Sequence, residues 1–241
     1  MTLRHVLLAS LLLSCAHASQ PSAPATFAQF ADEYFADAFA HAPSRATRVG
    51  LHDRDGSLED LSRSAIEERI ATLKREQRQL AAIRRGNLSF DDEIDAQLID
   101  NQIASQLLDL ETLRTWENNP MGYVRLPGGA IDGLMKRDFA PAPQRLRSVI
   151  SRLRQVPRIY AAAKENLKNP PKEFTDLAIR MSRGSVGFFE KAVASWAKTA
   201  AQNDAQLLAD FEEADKAAAT AARGFSAWLQ DDLLPRSHGS Y

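Results

Sequence analysis

Residues 203–228 read NDAQLLADFEEADKAAATAARGFSAW. Within them Leu207, Phe211, Ala214, Ala218, Ala221, Phe225 and Trp228 recur in alternating steps of four and three. That spacing lays one apolar seam along an α-helix, and the alanines let a neighbouring helix come close. Asn203 stands where an N-cap is expected, and Leu233-Leu234-Pro235 ends the run. No other long segment shows strand alternation, so the chain reads as all-α, an assembly of long amphipathic helices.

The segments before it carry the same period. Thr26 and Gln29 form a capping box ahead of a stripe of Phe27, Phe30, Ala31, Tyr34, Phe35, Ala38 and Phe39, and Pro43 stops the run. Core packing is the expected role of that stripe. Ser64 and Glu67 open a second helix with Ile66, Ile70, Leu73, Leu80 and Ile83 inward, Lys74, Arg75, Glu76 and Arg78 on a solvated face, and Gly86 at its end. A third begins near Ser89, with Asp91, Asp92 and Glu93 at the positive end of its dipole. Its apolar line of Ile94, Leu98, Ile103, Leu107, Leu110 and Leu113 runs to Trp116, and Asn118-Asn119-Pro120 closes it. Residues 121–140, rich in Gly and Pro, read as a structured loop. Leu146, Val149, Ile150 and Leu153 mark the next helix, which Pro157 breaks or kinks. Ile159, Tyr160, Ala163 and Leu167 follow, up to Asn169-Pro170-Pro171. Residues 175–200 are helical by composition, with Gly184 and Gly187 predicting a kink or a close helix approach.

Ahead of the helical domain, taken as 26–241, stands a short basic start, the apolar run Val6 to Leu13 and the small residues Ala16-His17-Ala18. That order predicts a secretory signal over 1–18, followed by a flexible Ala/Ser/Pro spacer over 19–25. The single cysteine, Cys15, follows Leu12-Leu13-Ser14, which resembles a bacterial lipobox with a poor fit at Leu13. Acylation of Cys15 and soluble release after Ala18 are both consistent with it. Either outcome predicts an exported protein, periplasmic or extracellular, whose only link to a membrane is a lipid on Cys15. With Cys15 inside the signal, neither disulfides nor thiol catalysis operate in the body.

Thirty-one acidic against 30 basic residues leave a formal charge of −1, without the basic excess that nucleic-acid binding requires. In the body the histidines are His41, His52 and His238, none at metal-binding helical spacing. Asp53-Arg54-Asp55-Gly56 places glycine fourth instead of sixth for a calcium loop, and Ser64 occupies the twelfth place, so it reads as a polar turn. Gly184-Ser185-Val186-Gly187 follows Arg183 where a nucleophile elbow needs glycine, and no strand precedes it. Glu212/Glu213 and Asp231/Asp232 are adjacent pairs that diverge on a helix. No residue is therefore assigned a catalytic, cofactor-binding or metal-ligating role.

Several segments, in order, carry a resemblance. They are Pro43, Ala46-Thr47, Gly50, His52-Asp53 and Leu58 to Ser62; then Glu111 and Trp116 through Asn119-Pro120 to Tyr123; then Arg147 to Pro157, Asn166-Leu167 and Pro170-Pro171; and finally Leu229 to Tyr241. Together they resemble domain of unknown function 885, a family of exported bacterial proteins similar to zinc metallopeptidases. The resemblance implies a helical zincin-like fold in a chain about twice as long, with zinc held by His-Glu-x-x-His in the second half and a peptide as substrate. This chain has no such motif, so the resemblance makes it the N-terminal half of such a protein, inactive alone, with the C-terminal catalytic half as its partner, missing or separately encoded. The alternative is a self-sufficient helical envelope protein acting as a binding module. A chain of the first kind is expected to expose apolar helix faces, with the seam from Leu207 to Trp228 the first candidate.

Overall fold

The computed structural model describes residues 26–240, so the expected signal, Cys15 and the spacer lie outside the described residues. Among the described residues there are helices and no strand, the all-α architecture expected. In chain order the helices are α1 Phe27–His41, α2 Pro43–Val49, α3 Arg63–Ile83, α4 Phe90–Leu107, α5 Thr115–Asn118, α6 Pro120–Lys136, α7 Ala142–Asn166, α8 Lys172–Gly187, α9 Ala194–Ala200 and α10 Ala205–Trp228. π-helical turns follow α4 (Leu108–Leu113), α8 (Phe188–Val193) and α10 (Leu229–Leu233), and a 3₁₀ turn, Leu234–Arg236, leads to the C-terminal segment.

The apolar residues gather into two clusters. The larger one joins α6, α7, α8, α9 and α10, with α10 lying along α7 and α8. Leu207, Phe211, Ala214, Ala218 and Phe225 are buried in it, and Phe225 stacks on Tyr160 of α7 at 4.6 Å between centroids. The seam expected to be open is therefore closed within the chain, because α7 supplies the matching face. Ala222 is buried in the seam where Ala221 is only partly covered. The smaller cluster joins α1, α3 and α4 through Phe27, Phe30, Tyr34, Leu73, Leu80, Ala96, Ile99 and Ile103.

Several boundaries depart from the sequence reading. Residues 120–136 form a helix where a loop is expected, since Tyr123, Val124, Pro127, Ala130, Ile131 and Leu134 hold the helical period and Pro127 is itself a core residue. Pro157 lies inside an unbroken α7, held by buried Val156, Ile159 and Tyr160 on either side of it. Pro43 does more than stop α1, as it is the first residue of α2. α3 is capped by Ser62, which accepts from Ala65 N, and not by Ser64; Asp60 Oδ1 accepts from Ser62 N at 2.9 Å and holds the cap. α10 is capped by Asp204, which accepts from Leu207 N, because Gln202 and Asn203 take left-handed φ of 49° and 71° to turn the chain. Gly86 lies beyond the end of α3 at Ile83, its N donating to Ile83 O.

The third predicted helix is also shorter than expected. It passes into the π-turn at Leu108 and breaks at Arg114, whose φ is 49°. On α4 the inner residues are Ala96, Ile99 and Ile103, while Ile94 and Leu98, expected inward, are exposed, Leu98 by 62%. A Cβ at Gly184 or Gly187 would meet nothing, so these glycines mark the passage into a π-turn and no close approach.

Replacing Phe225 with Ala removes the ring sandwiched between Tyr160 and Trp228. The expected cost is about 3–5 kcal/mol, read as a lowered urea midpoint with the cooperative transition retained.

Candidate functional site

The family-pattern residues come together first as a clamp. Between α2 and α3 the chain runs without regular structure, and one face of α7 holds it by its backbone. Ser151 Oγ and Gln155 Nε2 donate to Gly56 O, both at 2.7 Å, and Arg152 Nε donates to Ser57 O at 2.9 Å. Leu58 N donates to Gln155 Oε1, Arg158 Nη2 to Leu58 O, and Asn166 Nδ2 to Leu61 O. Gly56 sits so near Ser151 that an added Cβ would lie 3.3 Å from its Oγ.

Arg152 is fully buried, and its Nη1 and Nη2 donate to Ala130 O and Thr47 Oγ1, each at 2.6 Å. Burial pushes its guanidinium below the usual range, opposed by Asp55 and Glu59 nearby. Thr47 Oγ1 donates to Asp55 Oδ1, and His52 Nδ1 lies 3.0 Å from Asp55 Oδ2 with its ring stacked on Phe139 at 3.7 Å. His52 thus anchors the loop, whereas Asp53 faces solvent. A second junction ties the middle of the chain to its end. Tyr123 Oη donates to Trp116 O, Asn166 Nδ2 donates to Tyr123 Oη, and Arg236 Nη1 donates to Lys168 O. Gly239 N donates to Pro170 O, and a Cβ there would collide with the Asn169 carbonyl oxygen.

The sequence reading assigned no catalytic, cofactor or metal residue. Among the described residues no group of three or more His, Cys, Asp or Glu is placed to hold a metal ion. The zinc implied by the resemblance therefore has no fitting ligand set there.

A further concave feature lies elsewhere, where α1, α2, α3, the end of α4 and the π-turn meet. It is a cleft of ≈ 550 Å³ whose lining combines the polar Arg45, Arg69 and Gln106 with the apolar Leu108, Leu110 and Leu113. His41, also in its wall, is held below its usual pKa by burial and by Arg69. Arg69 Nη2 donates to Gln106 Oε1 at 3.1 Å, while Nη1 is buried without a hydrogen bond, 3.7 Å from Glu76 Oε2. The π-turn is pinned by Trp116 Nε1 donating to Leu110 O and by Thr115 Oγ1 donating to Asp109 Oδ1.

Glu76, expected on a solvated face, is only 3% exposed, and neither carboxylate oxygen has a hydrogen bond. Burial pushes its pKa up to about 7; Arg69 opposes that rise, and Asp37 reinforces it. Arg69 and Glu76 occupy the register of Ile66, Leu73 and Leu80 in steps of three and four, the signal that could have placed them inward.

The sequence matches the family model described as "Bacterial protein of unknown function (DUF885)" over residues 43–240. The chain belongs to this family. No curated protein matches it. A solved structure of a candidate lipoprotein of unknown function from Shewanella oneidensis is similar, with a TM-score of 0.76 and 29% sequence identity. The match covers 86% of this chain and 37% of that one, so this DUF885 chain spans well under half of its neighbour. Among the described residues no helix is long and apolar enough to cross a membrane.

A carboxyl whose folded pKa lies above its unfolded value of 4.5 favours the folded state below that value, and the contribution is lost as pH rises through about 7. Urea unfolding at pH 5 and pH 8 should therefore show stability falling with pH, and Glu76→Gln should flatten that slope.

Proposed function

We propose that this chain is the helical N-terminal portion of an exported, zinc-metallopeptidase-like envelope protein, forming one wall of a peptide cleft and carrying no catalysis by itself. The observation that carries this reading is the two-sided character of α4. Its inner face buries Ala96, Ile99 and Ile103, yet its outer face presents Phe90, Ile94 and Leu98 to solvent, and Leu98 shares a groove with the exposed Phe35 of α1. A helix apolar on both sides belongs between two layers of protein, and among the described residues only one layer covers it. The recurrence of the fold as 37% of a longer chain supports the same reading. In this proposal the second layer is the C-terminal catalytic half, attached or separately encoded, and any membrane link runs through a lipid on Cys15.

A second reading has its own support, since the α10 seam is closed within a covered bundle. That favours a self-sufficient helical binding module, which would be monodisperse at high concentration.

Supplied with zinc and a peptide library, the purified chain is expected to give no chelator-sensitive hydrolysis; robust cleavage abolished by chelator overturns the inactive-wall reading. Mixed with the separately expressed C-terminal half of a longer family member, it is expected to co-elute as a complex. Leu98→Asp should weaken that complex by tenfold or more, and failure of the unaltered halves to associate counts equally against the proposal.

A further inference from the structure

The cleft bounded by α1, α2, α3, the end of α4 and the π-turn has a mixed lining that points to a ligand. It combines guanidinium groups with leucines, of which Leu108 and Leu113 are about half exposed. Arg45 is exposed and has no ion-pair partner among the described residues. Arg69 is nine-tenths buried, and Gln106 is the only hydrogen-bond acceptor it has among them. A buried guanidinium with idle N–H groups is costly unless an acceptor is supplied. The nearest carboxylate, Glu76, is not part of the cleft wall and lies 3.7 Å from Arg69 Nη1 without a hydrogen bond to it, and burial favours its neutral form. Within the wall Asp109 is the one carboxylate, and Thr115 already donates to it. The cleft thus holds a surplus of positive charge beside apolar surface.

We propose that this cleft binds an apolar carboxylic acid, with Arg45 and Arg69 holding the carboxylate and Leu108, Leu110 and Leu113 holding the apolar body. The guanidinium fork matches a carboxylate, and hydrogen bonds between ions are roughly twice as strong as neutral ones. The volume of ≈ 550 Å³ lies within the range of small-molecule sites, about 300–1,000 Å³, and exceeds what a lone inorganic anion fills. Two sources share this chemistry: a fatty acid, and the free C-terminus of a peptide ending in apolar residues. The inference does not depend on the peptidase-like reading, since the cleft residues belong to this chain alone.

Calorimetric titration of the full chain tests it with four probes: decanoate below its micellar concentration, decanamide, N-acetyl-Leu-Leu with a free carboxylate, and the same dipeptide amidated. At least one acid should bind saturably and at least tenfold more tightly than its amide; decanoate as the tighter acid identifies a fatty acid, and the dipeptide a peptide terminus. Arg69→Gln and Arg45→Ala should each weaken binding about ten- to a hundredfold. Because Arg69 is buried, the exposed changes Arg45→Ala and Leu113→Asp keep the test decisive if Arg69→Gln fails to fold. Equal affinity for acid and amide overturns the proposal, as does no saturable binding of either acid, or affinity unchanged in both exposed variants. Inorganic phosphate binding as tightly as the acids also overturns it, because the leucine wall would then play no part.

Discussion

The fold depends on one buried cation. Arg152 is completely covered, and desolvating a guanidinium costs several kcal/mol, on the order of 5, unless its donors are all engaged. Its three nitrogens each find an oxygen on a different element: Ser57 in the irregular segment, Ala130 in α6 and Thr47 in α2. Because those acceptors belong to three separate elements, all three must be in place together for the charge to be satisfied. The charge therefore acts less as a source of stability than as a selector of one arrangement, since any slip of α2 or the loop would strand it. Around it Ser151, Gln155, Arg158 and Asn166 extend the same logic along α7, pairing side chains with backbone groups much as a neighbouring strand would.

This dependence explains what could be read from the chain and what could not. Long apolar periods identify α1, α3, α7 and α10 because core burial follows the helical repeat directly, whereas on α4 the period marks the helix but not its buried face, since Ile94 and Leu98 are exposed. α6 was hidden because Pro127, Gly128 and Gly129 argue locally against helix, although Pro127 lies in phase with Tyr123, Ala130 and Leu134. Pro157 misleads for the same reason, as packing on both sides of it outweighs one lost backbone hydrogen bond. The clamp was legible only as ordered residues in a family pattern, since the partners of Arg152 lie up to 105 residues away in sequence.

The cleft was hidden by a different rule. Charged residues on a helix are assigned to solvent by default, and Glu76 falls within a run of Lys74, Arg75 and Arg78 that does face outward. Its register, seven residues after Arg69 and four before Leu80, is the inner one. Two ionisable groups at core positions of α3 lower the stability of the small cluster and raise its chemical content. Natural chains accept such costs where a site needs them.

The two clusters therefore differ in kind. The bundle of α6, α7, α8 and α10 covers its own apolar surface, and its buried cation Arg152 is satisfied by Ala130 of α6 together with Ser57 and Thr47 from outside the bundle, although Asp215 Oδ1 of α10 has no hydrogen bond. The unit of α1, α3 and α4 leaves Phe90, Ile94 and Leu98 uncovered and leaves both members of its buried pair, Glu76 and Arg69, short of hydrogen bonds. α7, through its grip on the segment between α2 and α3, couples the incomplete unit to the complete one, together with the junction of Tyr123 and Trp116. Anything that engages α1, α3 or α4 acts on a unit with unmet demands, whereas the bundle supplies a rigid frame. An incomplete surface on a rigid frame is the arrangement expected of a recognition element, because its ordering cost is met before the partner arrives.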